Sequence, residues 1–178
     1  MDLGKKTLRR RSFVALSWIM TIPFGMVSFG AAVSMSDGVD VDAFAVMAAC
    51  LGVIAVARRI LGSRITLGES ELAIVNPVVT YTVPYGMIAA VSGGTGGTLT
   101  ILTRQADEIH STGFGGSLID HFVGSTDRAV EQIKCRLKHR PKHSGKDDMQ
   151  RRFTVAWFAD TCGVGALFCA ASDVIVGM

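Results

Sequence analysis

Asp160 is the residue of this sequence whose type and surroundings point most clearly to chemistry. It lies inside the hydrophobic run 153–178, and an aspartate at the centre of a membrane-spanning helix costs about 2.5–3.5 kcal/mol on insertion scales. Intramembrane carboxylates often mark ion paths or contacts between helices. We find no cation for it in the first two hydrophobic runs, and therefore expect it to face Ser17, Thr21 or Ser28, or a partner protein. An assembly contact is favoured over an ion path, since a path through three spans would require oligomerisation.

Catalytic patterns are weak elsewhere. Ser117, Asp120 and His121 are the right types for nucleophilic catalysis, but they do not form a nucleophile elbow. The glycine-rich stretch 93–97 lacks the Lys-Ser/Thr of a phosphate-binding P-loop and lies between strand-like segments, so it predicts a hairpin. The sequence therefore predicts a protein that is not an enzyme.

Metal and disulfide chemistry is not favoured either. His139 and His143 are four residues apart but flank Pro141 in a basic stretch, so a solvated role is favoured over a metal site. The four cysteines form no CxxC pair and are expected to pack as small apolar residues: Cys50, Cys135, Cys162 and Cys169. We expect no cofactor and no bound metal.

The composition places the chain in a membrane. Of its 178 residues, 49% are hydrophobic and 19% are charged, which is too apolar for an ordinary soluble domain of this size. The net charge is only +3, and the basic residues cluster beside hydrophobic runs. Such clusters are typical of topology signals rather than of a nucleic-acid surface, so no nucleic-acid partner is expected.

Three hydrophobic runs are long enough to be spans. Residues 12–35 contain no charged residue over 24 positions, which is enough to cross a hydrocarbon core of about 30 Å. A cleavable signal peptide is the alternative for this run, although it is long for that purpose. Residues 43–57, extended by their apolar neighbours, form the second run, and residues 153–178 form the third.

Charge asymmetry sets the expected topology. The short loop 36–42 is acidic, whereas basic residues flank the outer ends of the first two runs and precede the third. By the positive-inside rule, the N-terminus is cytoplasmic, the hairpin tip is outside and the C-terminus is outside. The protein is therefore expected in the cell (inner) membrane.

Between the second and third runs, apolar residues alternate with a period of two, which is typical of strands. The predicted strands are residues 64–67, 71–75, 78–83, 87–91, 98–104 and 108–112. A helix is then predicted at 125–137, because Val130, Ile133 and Leu137 share one face.

Three motifs in this segment resemble a known family. They are Arg64-Ile-Thr-Leu-Gly, the run Asn76-Pro-Val-Val-Thr-Tyr-Thr-Val-Pro-Tyr-Gly-Met-Ile, and Phe114-Gly-Gly-Ser-Leu. Together they resemble the bacterial pleckstrin-homology-like (PH-like) domains of small actinobacterial membrane proteins, one family of which is named for low molecular weight protein antigen six. The resemblance covers residues 58–138 and implies a bent antiparallel sheet closed by a C-terminal helix. The third span departs from the commonest arrangement, which is a two-span hairpin plus domain.

The resemblance does not extend to phosphoinositide binding. Eukaryotic PH domains that bind phosphoinositides carry basic residues around the first hairpin, whereas this hairpin is the acidic Gly68-Glu-Ser-Glu. An anionic headgroup would be repelled there.

The predicted fold is a membrane protein with an α+β soluble domain. Residues 1–61 form a basic flank and transmembrane hairpin, 62–140 a cytoplasmic PH-like domain, 141–152 a basic linker and 153–178 the third transmembrane helix. The expected function is a non-catalytic interaction or scaffolding module. The alternative is a small accessory subunit of a transporter or other membrane complex, assembled through its spans.

The expected partners are the lipid bilayer and a membrane or cytoplasmic protein. Near anionic lipid, a well-placed basic residue contributes about 1 kcal/mol. The candidate lipid-facing cluster consists of Lys134, Arg136, Lys138, Arg140, Lys142, Lys146, Arg151 and Arg152.

Overall fold

The computed structural model describes residues 4–38, 41–94, 97–115, 125–138 and 148–176. The chain divides into two compact units. The sheet unit comprises Met1–Arg11 and Gly62–Thr154, and the helical unit comprises Ser12–Leu61 and Val155–Met178. Each unit is therefore assembled from segments that are separated in the sequence.

Helices account for all three hydrophobic runs. The four described helices are α1 (Arg11–Ser34), α2 (Val41–Leu61), α3 (Ser125–Lys138) and α4 (Trp157–Val176). By length and composition, α1, α2 and α4 could each cross a membrane, which indicates a membrane protein. The prediction of three spans is confirmed at this level. Short 3₁₀ turns occur at Met35–Asp37, Tyr85–Met87 and Thr112–Phe114.

Within the helical unit, α2 and α4 pack closely through small side chains. A Cβ atom placed on Gly163 would lie 3.8 Å from the Cβ atom of Ala55, and one placed on Gly165 would lie 3.3 Å from Leu51 Cδ1. Cys50 of α2 and Cys169 of α4 are buried, as expected for cysteines that act as small apolar residues. Membrane helices associate mainly through such close packing, because lipid provides no hydrophobic drive between them.

The sheet unit contains two antiparallel sheets. Their strands are β1 (Lys6–Leu8), β2 (Arg64–Leu67), β3 (Glu71–Val75), β4 (Val79–Pro84), β5 (Ile88–Gly94), β6 (Gly97–Thr103), β7 (Glu108–His110) and β8 (Gln150–Phe153). The larger sheet has the order β1-β2-β3-β4-β8, and the smaller has the order β5-β6-β7. The six predicted strands correspond to β2–β7, with differences at their ends, and the predicted helix corresponds to α3.

Alternation along the strands builds one core. Ile65, Leu72 and Val83 have no exposed surface, whereas their sequence neighbours Thr66, Ala73 and Thr82 are partly exposed. In α3, Ala129, Val130 and Ile133 are buried and pack onto the same cluster as the strand residues. Period two in the strands and a helical stripe in α3 therefore place their apolar residues in a single shared core.

Two strands lie outside the predicted domain. Lys6–Leu8 pairs with β2, although residues 1–61 are predicted as flank and spans. Gln150–Phe153 pairs with β4, so the end of the predicted linker is a strand and the third helix begins at Trp157. Both strands are short and lie at the edges of the larger sheet. Their conformation depends on distant partners rather than on local propensity.

Gly93 and Gly113 lie where the neighbouring backbone leaves no room for a side chain. Gly93 has a φ of 135° at an irregularity between β5 and β6, and a Cβ atom there would lie 2.9 Å from the Leu99 Cα atom. A Cβ atom on Gly113 would lie 2.9 Å from the Ser63 carbonyl oxygen. The predicted glycine-rich hairpin is confirmed, since Gly94 pairs with Gly97, while residues 95–96 lie outside the described chain.

The Asn76 side chain joins the two sheets. Asn76 follows β3, and its amide nitrogen donates a hydrogen bond to the His110 carbonyl oxygen at 2.8 Å. Its amide oxygen accepts a hydrogen bond from the Thr112 backbone N–H at 2.9 Å. One side chain thus satisfies two backbone groups at the end of β7. This is the asparagine of the sequence motif that carries the family resemblance.

We expect Asn76→Ala to lower the free energy of unfolding of the sheet unit by about 1–2 kcal/mol, because both backbone groups lose their partner. The measurement is thermal unfolding of the full chain in detergent, combined with hydrogen exchange at the Thr112 amide. Ser92→Ala is the control, since the Ser92 hydroxyl makes only a 3.5 Å contact with the Thr100 carbonyl oxygen. Equal effects of the two substitutions would contradict the bridging role.

A second prediction concerns β1. Leu8→Ala should destabilise the sheet unit by about 2–4 kcal/mol, because Leu8 belongs to the buried core. Thr7→Ala should change stability by no more than about 0.5 kcal/mol, since Thr7 is the exposed neighbour on the opposite face. Hydrogen exchange of the β2 amides measures both. If the β2 amides are equally protected in the two variants, β1 does not belong to the core sheet.

Candidate functional site around Asp160

Asp160 lies in the first turn of α4, not at the helix centre that the sequence analysis assumed. Its Oδ2 atom accepts a hydrogen bond from the Ala156 backbone N–H at 3.0 Å, just before the helix begins. A carboxylate at this position satisfies a free helix N–H group and interacts favourably with the positive end of the helix dipole. The cost assumed for an aspartate in mid-helix therefore does not apply.

The second oxygen of Asp160 binds a cation from α2. Arg59 Nη1 lies 2.6 Å from Asp160 Oδ1. The expectation that the first two spans offer no cation for Asp160 is therefore wrong. Arg59 lies in the last turn of α2 and Asp160 in the first turn of α4. Because the two helices pack against each other in opposite directions, those turns lie at one level.

The ion pair is partly shielded from solvent within the helical unit. The side chains of Arg59 and Asp160 are 26% and 32% exposed. A partly exposed pair of this kind contributes about 1 kcal/mol in water. In an apolar medium, removing one partner costs more, because the remaining charge is left without compensation. Asp160 therefore connects α2 to α4 rather than presenting an open carboxylate.

The hydroxyl residues proposed as neighbours of Asp160 take other roles. The Thr21 hydroxyl donates to the Ser17 carbonyl oxygen at 2.6 Å and accepts from Arg58 Nε at 2.9 Å. Ser17 and Ser28 are buried on α1, and Ser17 Oγ has no hydrogen-bond partner among the described residues. None of the hydrogen bonds seen in the described chain joins these three residues to Asp160.

Arg58 occupies an aromatic cleft beside the ion pair. Its guanidinium carbon lies 4.5 Å from the centre of the Trp18 ring and 4.8 Å from the centre of the Phe158 ring. The side chain thus contacts α1 through Trp18 and Thr21 and α4 through Phe158. Cation–π contacts of this kind contribute about 0.5–2 kcal/mol each, with the larger value for desolvated groups.

Neither Arg58 nor Arg59 was predicted as a site residue, although the sequence contains a signal for both. The predicted topology already places the end of the second span and the start of the third on the same side. Arg58 and Arg59 lie three and two positions before the end of α2, and Asp160 lies three positions after the start of α4. These residues are therefore at the same level. The pairing of Arg59 with Asp160 was not predicted, because the two residues are 101 positions apart in the sequence.

The predicted basic cluster is distributed over several surfaces. Lys134 and Lys138 are exposed on α3. Arg151 and Arg152 are neighbours on β8 and make different contacts. The guanidinium carbon of Arg151 lies 5.7 Å from the centre of the Tyr81 ring, and Arg152 donates to Gln150 Oε1 at 3.1 Å. The remaining members of the cluster outside the described residues are Arg140, Lys142 and Lys146.

Arg136 is held inside the sheet unit. It donates to the Gly68 carbonyl oxygen at 3.3 Å and to the Gly4 carbonyl oxygen at 2.7 Å. The Tyr85 hydroxyl donates to the same Gly68 oxygen at 3.1 Å. Burial raises the pKa of Tyr85, while the nearby charge of Arg136 acts in the opposite direction. Arg136 therefore connects α3 to the β2–β3 turn and to the N-terminal segment.

The residue types considered for catalysis are only partly described. Ser117, Asp120, His121, His139 and His143 lie outside the described residues. His110 Nδ1 lies 2.9 Å from Thr100 Oγ1 on the neighbouring strand. Within the described ranges, no group of three or more His, Cys, Asp or Glu residues is placed to hold a metal ion.

The fold, together with the cluster of Arg58, Arg59 and Asp160, defines the class of protein. It is an α+β membrane protein with three candidate membrane-spanning helices and an antiparallel sheet unit. Comparisons of the chain with protein-family models, with curated proteins and with solved structures give no match.

We expect Asp160→Asn to weaken the contact between α2 and α4, because it removes the negative charge that Arg59 contacts while keeping an acceptor for the Ala156 N–H. A double-mutant cycle with Arg59→Gln should give a coupling energy of about 1–2 kcal/mol for unfolding of the helical unit in mixed micelles. Asp173→Asn is the control on the same helix. A coupling energy near zero would mean that the ion pair does not stabilise the unit.

Proposed function

We propose that this chain is an integral membrane protein whose sheet unit is a PH-like domain that acts as a non-catalytic interaction or scaffolding module. The observation that carries the proposal is the arrangement of the sheet unit. Strands β1–β4 and β5–β7 form two antiparallel sheets, and α3 packs onto their shared core. This arrangement agrees with what the motif resemblance implies, and β8 is an addition at the sheet edge.

The Asn76 bridge adds residue-level support to the PH-like assignment. The resemblance includes an asparagine that ends one strand. In this chain that asparagine holds the end of β7 through two hydrogen bonds. A sequence signature thus coincides with a contact that fixes one sheet against the other.

The proposed orientation places the N-terminus and the sheet unit in the cytoplasm and the C-terminus outside. Because β1 pairs with β2, and β8 pairs with β4, the chain ends that lead into α1, out of α2 and into α4 belong to one folded unit. In the proposed orientation, these ends lie on one side of the membrane. They carry Arg9–Arg11, Arg58–Arg59 and Arg151–Arg152, which the positive-inside rule assigns to the cytoplasm.

The proposed contact surface is the edge of the smaller sheet beside α3. In the described chain β5 is an edge strand, and α3 packs next to it. Ala89, Ala90 and Ser92 of β5 are exposed and small, so a peptide backbone could approach closely. Edge strands bind extended peptides by adding a strand to the sheet. The proposed partner is therefore an extended segment of a membrane or cytoplasmic protein.

The Arg59–Asp160 pair weighs against the alternative of an accessory subunit that uses Asp160 as its contact. Both oxygens of the carboxylate already have partners within the chain, namely Arg59 and the Ala156 N–H. A subunit assembled through this residue would first have to break that pair.

Site-specific photo-crosslinking in intact cells tests the proposal. We expect a photoreactive residue at Ala90 to form a discrete protein adduct, because this position lies on the exposed edge strand. The matched control is Thr7, an exposed position on the edge of the larger sheet. A third probe replaces Phe29, which is exposed on α1.

The three probes separate the candidate functions. An adduct at Ala90 and none at Thr7 supports an interaction module that binds through β5. Protein adducts at Phe29 alone would overturn it in favour of an accessory subunit assembled through its helices. Absence of protein adducts at all three positions would mean that the sheet unit has a structural role.

A further inference from the structure

Arg58 has hydrogen-bonding capacity that the described protein leaves unused. Its Nε atom donates to Thr21 Oγ1, and its guanidinium carbon lies over the Trp18 and Phe158 rings. The hydrogen bond to Thr21 uses one N–H group. In the described chain the terminal Nη1 and Nη2 atoms, which carry four further N–H groups, have no acceptor.

The charges of Arg58, Arg59 and Asp160 do not sum to zero. Within the helical unit, Arg59 pairs with Asp160 at 2.6 Å, and no carboxylate among the described residues contacts Arg58. One positive charge is therefore left over between helices that are apolar enough to span a membrane. An ionised group in such surroundings is stable only when it reaches an anion or water.

The cleft around Arg58 opens to the outside of the helical unit. Trp18 is 53% exposed and Phe158 is 55% exposed. In a span, the exposed side of these rings faces lipid, and tryptophan favours the level of the headgroups. At that level of the membrane, the hydrogen-bond acceptor available to Arg58 is the phosphate of a phospholipid. A planar guanidinium binds phosphate through two parallel N–H···O bonds.

We propose that Arg58, held by Thr21, Trp18 and Phe158, is a binding site for the phosphate group of an anionic phospholipid. The excess positive charge selects an anionic headgroup over a zwitterionic one, because the latter brings its own cation. Asp160 contributes by occupying Arg59, so that Arg58 is the arginine left for the ligand. This site lies within the helical unit and does not depend on what the sheet unit binds.

The test is native mass spectrometry of the full chain in a mild detergent, titrated with phosphatidylglycerol or phosphatidylcholine. We expect the wild-type chain to retain phosphatidylglycerol in preference to phosphatidylcholine. Arg58→Gln should weaken phosphatidylglycerol binding by about tenfold, because it removes the charge and the charge-assisted hydrogen bonds to the phosphate. Arg58→Lys should give an intermediate loss, because it keeps the charge but not the planar fork.

Arg64→Gln is the matched control, since Arg64 is an exposed arginine of β2 outside the spans. It should leave phosphatidylglycerol binding unchanged. Circular dichroism and thermal unfolding confirm that each variant is folded before it is titrated. Unchanged binding in Arg58→Gln, or an equal loss in Arg64→Gln, would overturn the site.

Two further arms identify the source of the phosphate. Excess inorganic phosphate should not displace phosphatidylglycerol, because the acyl chains are expected to pack against the exposed aromatic side chains. Displacement by inorganic phosphate would overturn a lipid site in favour of a soluble phosphate ligand. Equal retention of phosphatidylcholine and phosphatidylglycerol by the wild-type chain would overturn the selectivity for anionic headgroups.

Discussion

Strand pairing between distant segments is the constraint on which the sheet unit depends. Lys6–Leu8 precedes the first candidate span, Arg64–Leu67 follows the second, and Gln150–Phe153 precedes the third, yet all three belong to one sheet. Backbone hydrogen bonds hold these segments together, and Leu8 contributes to the core from the N-terminal side. The sheet unit is therefore not a continuous domain inserted between helices. Its edges are supplied by the chain on its way into the membrane.

The helical unit stabilises the charges of Arg58 and Arg59 in different ways. Arg59 and Asp160 neutralise each other, and Asp160 also satisfies a helix N–H group. Arg58 is stabilised by aromatic faces and a hydroxyl group, which orient its charge without cancelling it. Adjacent arginines on α2 thus have separate roles: Arg59 joins two helices, while Arg58 remains available to an external anion. Only the geometry of three helices distinguishes them.

The sequence was informative wherever local pattern decides conformation. The apolar runs predicted α1, α2 and α4, and alternation such as that of Leu72 and Ile74 predicted β2–β7. Local pattern was silent about Lys6–Leu8 and Gln150–Phe153, because short edge strands form only against partners far along the chain. The local pattern also predicted the wrong position of Asp160 along the span, because that position depends on where α4 begins. Arg59 was missed as its partner for the same reason, since pairing requires the levels of two helices to be compared.

The pairing of β1 with β2 has a consequence for biosynthesis. β1 is synthesised before its partner strand, which is made only after the whole α1–α2 hairpin, and β8 follows later still. If the hairpin failed to insert with both ends on one side, β1 and β2 would be separated by the bilayer, and Leu8 could not reach the core. Folding of the sheet unit is thus conditional on correct insertion. A misinserted chain would expose the edge of β2 that β1 otherwise covers.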